Sequence, residues 1–233
     1  MLIEESFEKY RKQAKLNYST LKLWESTLQY LKLERLKEYI ESERPISSSM
    51  LNGHSFHKLV LEPEAFEQDE KLKICLSKNQ FQNLYNMKKS ILKNKRIKEI
   101  LNNKETLKEI SCYFKDNWTA LDCKSRFDIC SKSEMFLCDI KTTRSIDNFK
   151  YVYKKYNYAE QAGFYYLAAK KNKIQIKNFI FIIQESGGNY ETAFLKIDKE
   201  ELEDIKKNVL KKMHEYNEWR QHKKIDHKKI ILL

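Results

Sequence analysis

The stretch that decides the fold is CKSRFDICSKSEMFLCDIK, residues 123–141. One apolar run ends near Cys130, and a second apolar run covers Met135 to Thr143. The polar tetrad between them, Ser131 to Glu134, has the length of a tight connection, so the pattern predicts a β-hairpin with a short loop. The centre of the chain is therefore expected to be a pair of antiparallel strands.

Three charged residues interrupt the apolar runs of this predicted hairpin. Asp128 lies on the first strand, and Asp139 and Lys141 lie on the second. Because side chains alternate along a strand, Asp139 and Lys141 project from one face while Ile140 projects from the other. Two carboxylates and an ammonium group are therefore expected to share one surface.

Charges within an apolar run are costly unless a partner satisfies them, and a divalent metal ion would satisfy two neighbouring carboxylates. Oxygen ligands suit Mg²⁺ or Mn²⁺. Such an ion would lower the pKa of a bound water, and Lys141 would orient that water or stabilise the charge growing on a phosphate. The pattern favours phosphodiester hydrolysis. The alternative is structural: Asp128 would be a turn residue, and Asp139 and Lys141 would form a surface ion pair on an edge strand.

The composition favours a polyanionic partner. The chain has 233 residues, enough for one sizeable domain with a core of its own. Its 45 Lys and Arg residues outnumber its 33 Asp and Glu residues, which gives a formal charge of +12 spread along the chain. Such a field favours nucleic acid, although lysine-rich helices also occur simply as solvated faces. No G-x-x-x-x-G-K-[ST] motif is present, so ATP hydrolysis is not supported.

The cysteines and the N-terminus predict a cytoplasmic protein. Five cysteines are an odd number, and without a signal peptide they argue against a disulfide framework. The N-terminal sequence MLIEESFEKYRKQ is too charged for a secretory segment, and no apolar run approaches the roughly 18 residues of a membrane span.

Apolar periodicity predicts an α/β fold with a mixed central sheet flanked by helices. One domain is expected over residues 1–233, with a helical N-terminal part at 1–105, a sheet core at 106–198 and a C-terminal helix at 199–224. The predicted helices cover residues 5–42 with a break and N-cap at 17–19, and then 50–61, 77–102, 151–170 and 200–224. The predicted strands begin near 108 and at 118–121, followed by the central hairpin and a second hairpin from 179–183 and 191–197.

Two further pairs of residues are spaced by four and so share a helix face. Gln161 and Tyr165 lie on the helix after the central hairpin, and Gly53 and His57 lie on a helix before it. Gly53 would let its helix approach the sheet while His57 points into the site. Taken singly, such residues are more often packing or capped helix residues than ligands.

Together these segments resemble the PD-(D/E)xK nuclease superfamily, and in particular the RecE-type exonucleases (exodeoxyribonuclease VIII), relatives of lambda exonuclease. The similarity lies in five ordered motifs: GHSFHKLVLEPEAF at 53–66, CKSRFD at 123–128, CDIKTTRSIDNFK at 138–150, YNYAEQAGFYY at 156–166, and a terminal hairpin that begins with FIFIIQES at 179–186. The likeness extends over residues 17–220, most of the chain.

The resemblance implies a role for each matching position. Asp128 and Asp139 would bind the catalytic Mg²⁺, for which Mn²⁺ would substitute, with the Ile140 carbonyl as a further ligand. His57 would be an additional ligand or would position the metal, and Lys141 would act on the attacking water. Gln161 and Tyr165 would steady the site. Thr142, Thr143 and Arg144 would reach the DNA backbone. For these last three, a plain strand end with a solvated charge is an equally good interpretation.

The sequence departs from the family pattern at a few positions. Phe127 stands where relatives carry proline before the first acid, and Asp139 replaces glutamate in the second motif, as in the RecE-type branch. Two further acids lie near the expected site. Glu62 fits a helix end, and Glu109 is a weaker candidate for a supporting role behind the ligands.

The resemblance implies a Mg²⁺-dependent exonuclease that degrades linear double-stranded DNA 5′ to 3′ and leaves 3′ single-stranded tails for recombination. Relatives form rings that thread DNA, so a homo-oligomer is expected, with a single-strand annealing protein as partner, in a bacterial or phage-type cytoplasm. Three alternatives stay open: a structure- or site-specific endonuclease, a catalytically idle DNA-binding protein, and an RNA substrate.

Overall fold

The structure is a computed structural model that describes residues 1–32, 34–35 and 47–223. Its strands are β1 (Leu2–Ile3), β2 (Leu107–Lys115), β3 (Asp122–Ser131), β4 (Phe136–Thr143), β5 (Asn178–Glu185) and β6 (Thr192–Asp198). The helices before the sheet core are α1 (Phe7–Lys12), α2 (Tyr18–Ser26), α3 (Ser48–Leu61), α4 (Pro63–Glu67), α5 (Glu70–Ile74), α6 (Lys78–Ile91) and α7 (Lys95–Asn102). The later helices are α8 (Phe149–Lys155), α9 (Tyr158–Lys171) and α10 (Lys199–His222).

The strands form a mixed sheet whose spatial order follows the sequence, from β1 to β6. Neighbouring strands are antiparallel except β4 and β5, which are parallel. A parallel pair needs a long crossover, and α8 and α9 provide it. This arrangement confirms the predicted α/β class with a mixed central sheet flanked by helices.

Each face of the sheet has its own hydrophobic cluster. The cluster on one face joins the sheet to α2, α9 and α10 and includes Leu21, Phe127, Phe164, Phe179 and Met213. The cluster on the other face joins it to α3, α6 and α7 and includes Phe56, Leu84, Ile97, Cys138 and Ile140. Because side chains alternate, the neighbours of Ile140 on β4 are directed to the first face. That face also carries α9.

The sheet opens between β3 and β4. These strands pair over three residues each, from Ile129 opposite Cys138 to Ser131 opposite Phe136. On the other side of Ile129, β3 continues along β2, while β4 continues along β5 as far as Thr143. The two strands therefore diverge and leave a gap in the middle of the sheet.

The N-terminal segment occupies part of the free edge of β3. Leu16 forms a parallel bridge with Cys123. The Leu16 N–H donates to the Asp122 carbonyl at 2.9 Å, and the Lys124 N–H donates to the Leu16 carbonyl at 2.7 Å. The backbone groups that β4 does not satisfy are thus paired by a segment more than a hundred residues away in sequence.

The predicted strand at residues 118–121 is wrong, because these residues belong to the turn between β2 and β3. The Thr119 N–H and hydroxyl both donate to the Asp116 carboxylate at 2.9 Å. An aspartate that binds the backbone of its own turn competes with strand pairing. Trp118 is exposed and stacks on His214.

Two long predicted helices are each divided by an asparagine. The helix expected at 77–102 ends with α6, and α7 restarts at Asn94, whose side chain accepts the Ile97 N–H at 3.2 Å. The helix expected at 151–170 is divided into α8 and α9 at Asn157, which has a φ of 50°. The first break falls in the polar run KNKR at 93–96, whereas aromatic residues continue on both sides of the second break, so periodicity does not reveal the second one.

The helical N-terminal region is confirmed in part. α1 and α2 lie within the helix predicted at 5–42, and Asn17 caps α2 by accepting the Thr20 N–H at 2.8 Å. The rest of that prediction falls largely on residues 33 and 36–46, which lie outside the described residues, as does the end of the chain from 224. β1 was not predicted, because two residues are too short to show alternation. Among the described helices, none is both long enough and apolar enough to cross a membrane.

Helix α9 lies against α10 at Gly163, where an added Cβ would sit 2.5 Å from Ile205 Cγ2. Gly163→Ala is expected to lower the free energy of unfolding by about 1–3 kcal/mol, because overpacking forces the two helices to shift. Gly187→Ala is the control, since no atom lies within 4 Å of a Cβ there. Urea denaturation of both variants measures the difference, and similar small effects would contradict this account of the packing.

Candidate active site

The gap between β3 and β4 is bridged by the Asp128 side chain. Asp128 Oδ2 accepts a hydrogen bond from the Ile140 N–H at 2.7 Å. Because the N–H and C=O of an extended residue point to the same side of its strand, the Ile140 carbonyl also faces the gap. The Asp128 carboxylate and the Ile140 carbonyl, both predicted from sequence, thus lie at one place between the strands.

Helix α3 carries His57 to the same gap. His57 Nδ1 lies 3.3 Å from Asp128 Oδ2, and the His57 side chain is half-buried. Gly53, one turn earlier, faces β4, but a Cβ there would lie 3.5 Å from Thr142 Oγ1, which is an ordinary contact. The helix therefore reaches the sheet without depending on the absence of a side chain at Gly53, which corrects the role expected for this glycine.

Glu109 is the residue that the sequence analysis undervalued. One ligand atom from each of His57, Glu109 and Asp128 lies within 4.8 Å of the others. Glu109 has a φ of 48°, a strained conformation for a residue with a side chain, and such strain is concentrated at functional positions. Its carboxylate accepts a hydrogen bond from Arg126 Nε at 2.7 Å. The available signal was an acid inside the apolar run EISCYF.

The other predicted catalytic residues form a connected group on the α9 side of the sheet. Lys141 Nζ lies 2.5 Å from Asp139 Oδ2. Gln161 Nε2 lies 3.3 Å from both Asp139 Oδ1 and the Tyr165 hydroxyl. Tyr165 packs its ring against Phe127, with centroids 5.5 Å apart. Gln161 and Tyr165 therefore share one face of α9, as their spacing predicted, and the structure directs Gln161 to Asp139.

Burial dominates the electrostatics of these groups. Burial raises the pKa of Asp139 to about 6, and burial together with the Asp128 charge raises the pKa of Glu109 to about 7. Burial alone would lower the pKa of His57, but the Asp128 carboxylate outweighs it and the pKa rises to about 9. In return, His57 holds the pKa of Asp128 below its ordinary value despite burial. Ionised carboxylates here cost free energy that a cation would offset.

The residues present fit a divalent metal ion. Carboxylate oxygens, an imidazole nitrogen and a backbone carbonyl meet at the gap, and this donor set suits hard cations such as Mg²⁺ or Mn²⁺. Asp139 Oδ2 is buried and has the Lys141 ammonium as its partner. The ligand atoms of His57, Glu109 and Asp128 form the cluster that could hold the ion, and the Ile140 carbonyl faces the same gap. Asp139, which was also predicted as a ligand, lies outside this cluster and pairs with Lys141.

Two cavities lead to these groups. One, of about 560 Å³, is lined by His57, Glu109 and Asp128 from the sheet side. The other, of about 400 Å³, is lined by Lys141 and Gln161. Helix α2 borders both cavities through Tyr18, Ser19 and Leu23. The group of His57, Glu109 and Asp128 and the predicted catalytic lysine therefore face two different cavities that share α2 as a border.

Two buried cations fix the N-terminal segment as a wall of the larger cavity. The Lys124 ammonium donates to three carbonyls at the end of α1, those of Tyr10, Arg11 and Gln13, at 2.7–3.2 Å. Arg126 Nη1 donates to the Glu5 carbonyl at 2.9 Å. A cation is favourable at a helix C-terminus. Both residues belong to the CKSRFD motif, yet their contacts are with the N-terminal segment.

The predicted DNA-binding residues lie at the end of β4, beside a separate cavity of about 410 Å³. Arg144 is exposed and Thr142 is half-buried. Thr143 is buried, and its hydroxyl donates to the Ser145 carbonyl at 3.0 Å. The role of these three residues in binding DNA stays a prediction.

Comparison with known proteins identifies the class of this chain. Residues 18–227 match the PDDEXK-like domain of unknown function (DUF3799). The chain belongs to this family and has the PD-(D/E)xK nuclease fold. The narrower likeness to the RecE-type branch stays a prediction.

A solved structure supports the same fold. The crystal structure of a protein from Eubacterium rectale, described as "Putative exonuclease", superposes with a TM-score of 0.69 at 13% identity and covers 95% of this chain and 87% of its own. A second structure, SSO0001, also has 13% identity and covers 80% of this chain and 85% of its own, but its TM-score of 0.34 is too low to indicate a shared fold. No functionally curated protein matches.

Titration with Mn²⁺ is expected to raise the unfolding temperature of the protein. An ion that binds only the folded state stabilises that state by about 2.7 kcal/mol when its concentration is about 100 times Kd. Asp128→Asn should abolish most of this stabilisation. Asp122→Asn, at an exposed position of the same strand, is the matched control and should retain it.

The same titration has a predicted pH dependence. Protons compete with the metal at Asp139, Glu109 and His57, whose pKa values are about 6, 7 and 9. Metal binding should therefore tighten from pH 6 to pH 9 as these protons are lost. Affinity that is independent of pH over this range would place the metal elsewhere.

Proposed function

We propose that this protein is a Mg²⁺-dependent deoxyribonuclease, with residues 1–233 as one nuclease domain, that hydrolyses linear double-stranded DNA as an exonuclease. The observation that carries the proposal is the meeting of Asp128, Asp139 and Lys141 at the gap between β3 and β4. The charges of these three residues act on one another across the gap. Membership of the PDDEXK-like family supports the same chemistry.

Three residues are the main proposed metal ligands, and two further groups are additional candidates. His57, Asp128 and Asp139 would hold the ion, and Glu109 and the Ile140 carbonyl are the further candidates. The bound ion would act as a Lewis acid and lower the pKa of a water molecule. Imidazole and carboxylate must be deprotonated to bind it, so the His57–Asp128 contact would be exchanged for metal contacts.

The remaining residues act on orientation and charge. The Lys141 ammonium is placed to orient the attacking water and to stabilise negative charge that develops on the phosphate. Gln161 donates to Asp139 and so fixes the orientation of that carboxylate. Tyr165 contacts Gln161 and packs on Phe127, which keeps the amide in place.

Charge and composition support a nucleic-acid substrate. The formal charge is +12, and phosphate contacts from lysine and arginine make binding fall steeply with salt. Thr142 and Arg144, at the end of β4, are the proposed backbone contacts beside the scissile phosphate. All five cysteines are free, which suits a reducing cytoplasm.

The finer parts of the proposal rest on resemblance. The motif similarity to RecE-type exonucleases, and the description of the Eubacterium rectale protein, favour an exonuclease over an endonuclease. The 5′ to 3′ polarity, the 3′ single-stranded tails, the homo-oligomeric ring and the annealing partner all derive from the RecE-type likeness.

A time course with Mg²⁺ on a linear duplex labelled separately at its 5′ and 3′ ends tests activity and polarity together. We expect early release of the 5′ label, no cutting of a covalently closed circle, and no activity in Asp139→Ala. Cutting of the closed circle would identify an endonuclease. Release of label from a labelled RNA, with none from the DNA, would identify RNA as the substrate. Binding without metal-dependent turnover would identify an idle DNA-binding protein.

Substitutions at the site should separate catalysis from binding. Lys141→Ala is expected to lower cleavage at least about 100-fold while DNA binding persists, because the ammonium acts on developing charge. Gln161→Ala should cost about 10-fold, less than Asp139→Ala, because it acts through the carboxylate that it orients. Lys196→Ala, an exposed lysine on β6, is the control. Wild-type turnover in Lys141→Ala would contradict the catalytic role proposed for this lysine.

A further inference from the structure

A row of aromatic rings leads outward from the catalytic lysine. Phe181 on β5 stacks with Tyr158, with centroids 5.8 Å apart and planes at 29°. Tyr158 stacks with Tyr156, also at 5.8 Å and with planes at 25°. Phe181 is fully buried, whereas Tyr156 is 41% exposed. The row therefore begins in the core and ends at the surface, at the junction between α8 and α9.

Lysine ammonium groups lie over these rings. Lys141 Nζ is 4.6 Å from the centroid of Tyr158, and Lys22 Nζ is 4.4 Å from that of Tyr156. Lys155 Nζ lies 5.7 Å from the Tyr156 centroid and 5.8 Å from the Tyr151 centroid. Positive charges and aromatic faces thus alternate from the active site to Tyr151, which is 67% exposed.

The inner part of the row has an ordinary packing explanation, but the outer part does not. Phe181 contributes to the hydrophobic cluster of the α9 face, and Tyr158 packs against it. Tyr156 and Tyr151 expose their rings next to lysines instead. Burial and the charge of Lys141 lower the pKa of Lys22, so the two ammonium groups stand close enough to repel each other. An anion between them would relieve that repulsion.

The cavity beside Lys141 joins these groups into one path. It has a volume of about 400 Å³, and Tyr156 and Tyr158 line it together with Lys22, Lys141 and Gln161. A single strand of nucleic acid offers base faces for stacking and phosphates for cations, in alternation along its length. A duplex offers its phosphates but keeps its base faces stacked inside. The row matches the single strand.

We propose that Tyr156 and Tyr151, with Lys22 and Lys155, bind the single-stranded segment of DNA next to the scissile phosphate. Bases take the place of the lysine ammonium groups that lie over the two tyrosine rings, and the displaced lysines contact the phosphates between the bases. This inference rests on the proposed nuclease function for its place in the reaction. The end of a duplex would enter the site as a separated strand rather than as paired DNA.

Binding measured without metal tests the proposal independently of cleavage. Fluorescence anisotropy in EDTA compares a labelled oligo-dT of about 12 nucleotides with a labelled blunt hairpin duplex, on the full chain. Tyr156→Ala should weaken binding of the single strand about tenfold. Tyr156→Phe, which keeps the ring, should bind within about twofold of the wild type. Tyr156→Ala should weaken binding of the duplex much less than binding of the single strand.

The matched control is Tyr85→Ala on the opposite face of the sheet. Tyr85 is 40% exposed, close to the value for Tyr156, and stacks on Phe81 without a lysine over its ring among the described residues. Tyr85→Ala should leave single-strand binding unchanged. Lys22→Ala and Lys155→Ala should each reduce the slope of log K against log salt by about 0.7, the value for one phosphate of a single strand.

The outcomes separate this proposal from the proposed function. Equal losses in Tyr156→Ala and Tyr85→Ala, or an equal loss of duplex and single-strand binding in Tyr156→Ala, would overturn the single-strand path. Unchanged binding in Tyr156→Ala beside normal wild-type cleavage would overturn it and leave the nuclease intact. A selective loss of single-strand binding in Tyr156→Ala, together with a wild-type protein that cleaves no labelled DNA, would support the single-strand path and overturn the proposed nuclease function.

Discussion

The sheet and the site depend on one interaction, the hydrogen bond from the Ile140 N–H to Asp128 Oδ2 across the diverging strands β3 and β4. Strands that stayed paired would direct their N–H and C=O groups at each other and leave no room for a cation or a phosphate. Once they diverge, the freed backbone groups need other partners. Asp128 supplies one, and Leu16 from the N-terminal segment supplies others. The opening is therefore stabilised by Asp128, which is also a candidate metal ligand.

The cost of burying acids gives the site its preference for a cation. Asp139 is 2% exposed, and its pKa of about 6 shows that Lys141, 2.5 Å away, does not fully offset its burial. Glu109 adds a half-buried carboxylate held with a φ of 48°. Strained backbone and perturbed pKa values are concentrated at functional sites. The interpretation of Asp139 and Lys141 as an exposed pair on an edge strand does not fit, because both lie on an interior strand.

The walls of the site come from the N-terminal segment and from the crossover between β4 and β5. Lys124 and Arg126 project from β3 and bind carbonyls of the N-terminal segment, so α1 stays beside the candidate metal ligands. On the other side, the junction of α8 and α9 places Tyr156 beside Lys22 of α2. Helix α2 therefore borders both the cavity that holds His57, Glu109 and Asp128 and the cavity lined by lysines and tyrosines beside Lys141.

The sequence by itself determined the local relations of this protein. Alternation on β4 placed Asp139 and Lys141 together, and the spacing of four on α9 placed Gln161 beside Tyr165, because both periods depend only on neighbouring residues. Only the tertiary structure decided that Glu109 joins His57 and Asp128, that 118–121 is a turn, and that the N-terminal segment pairs with β3. These features depend on the divergence of β3 and β4 and on contacts between residues far apart in sequence. No local period encodes such contacts, since they are fixed by the free energy of the whole packed chain.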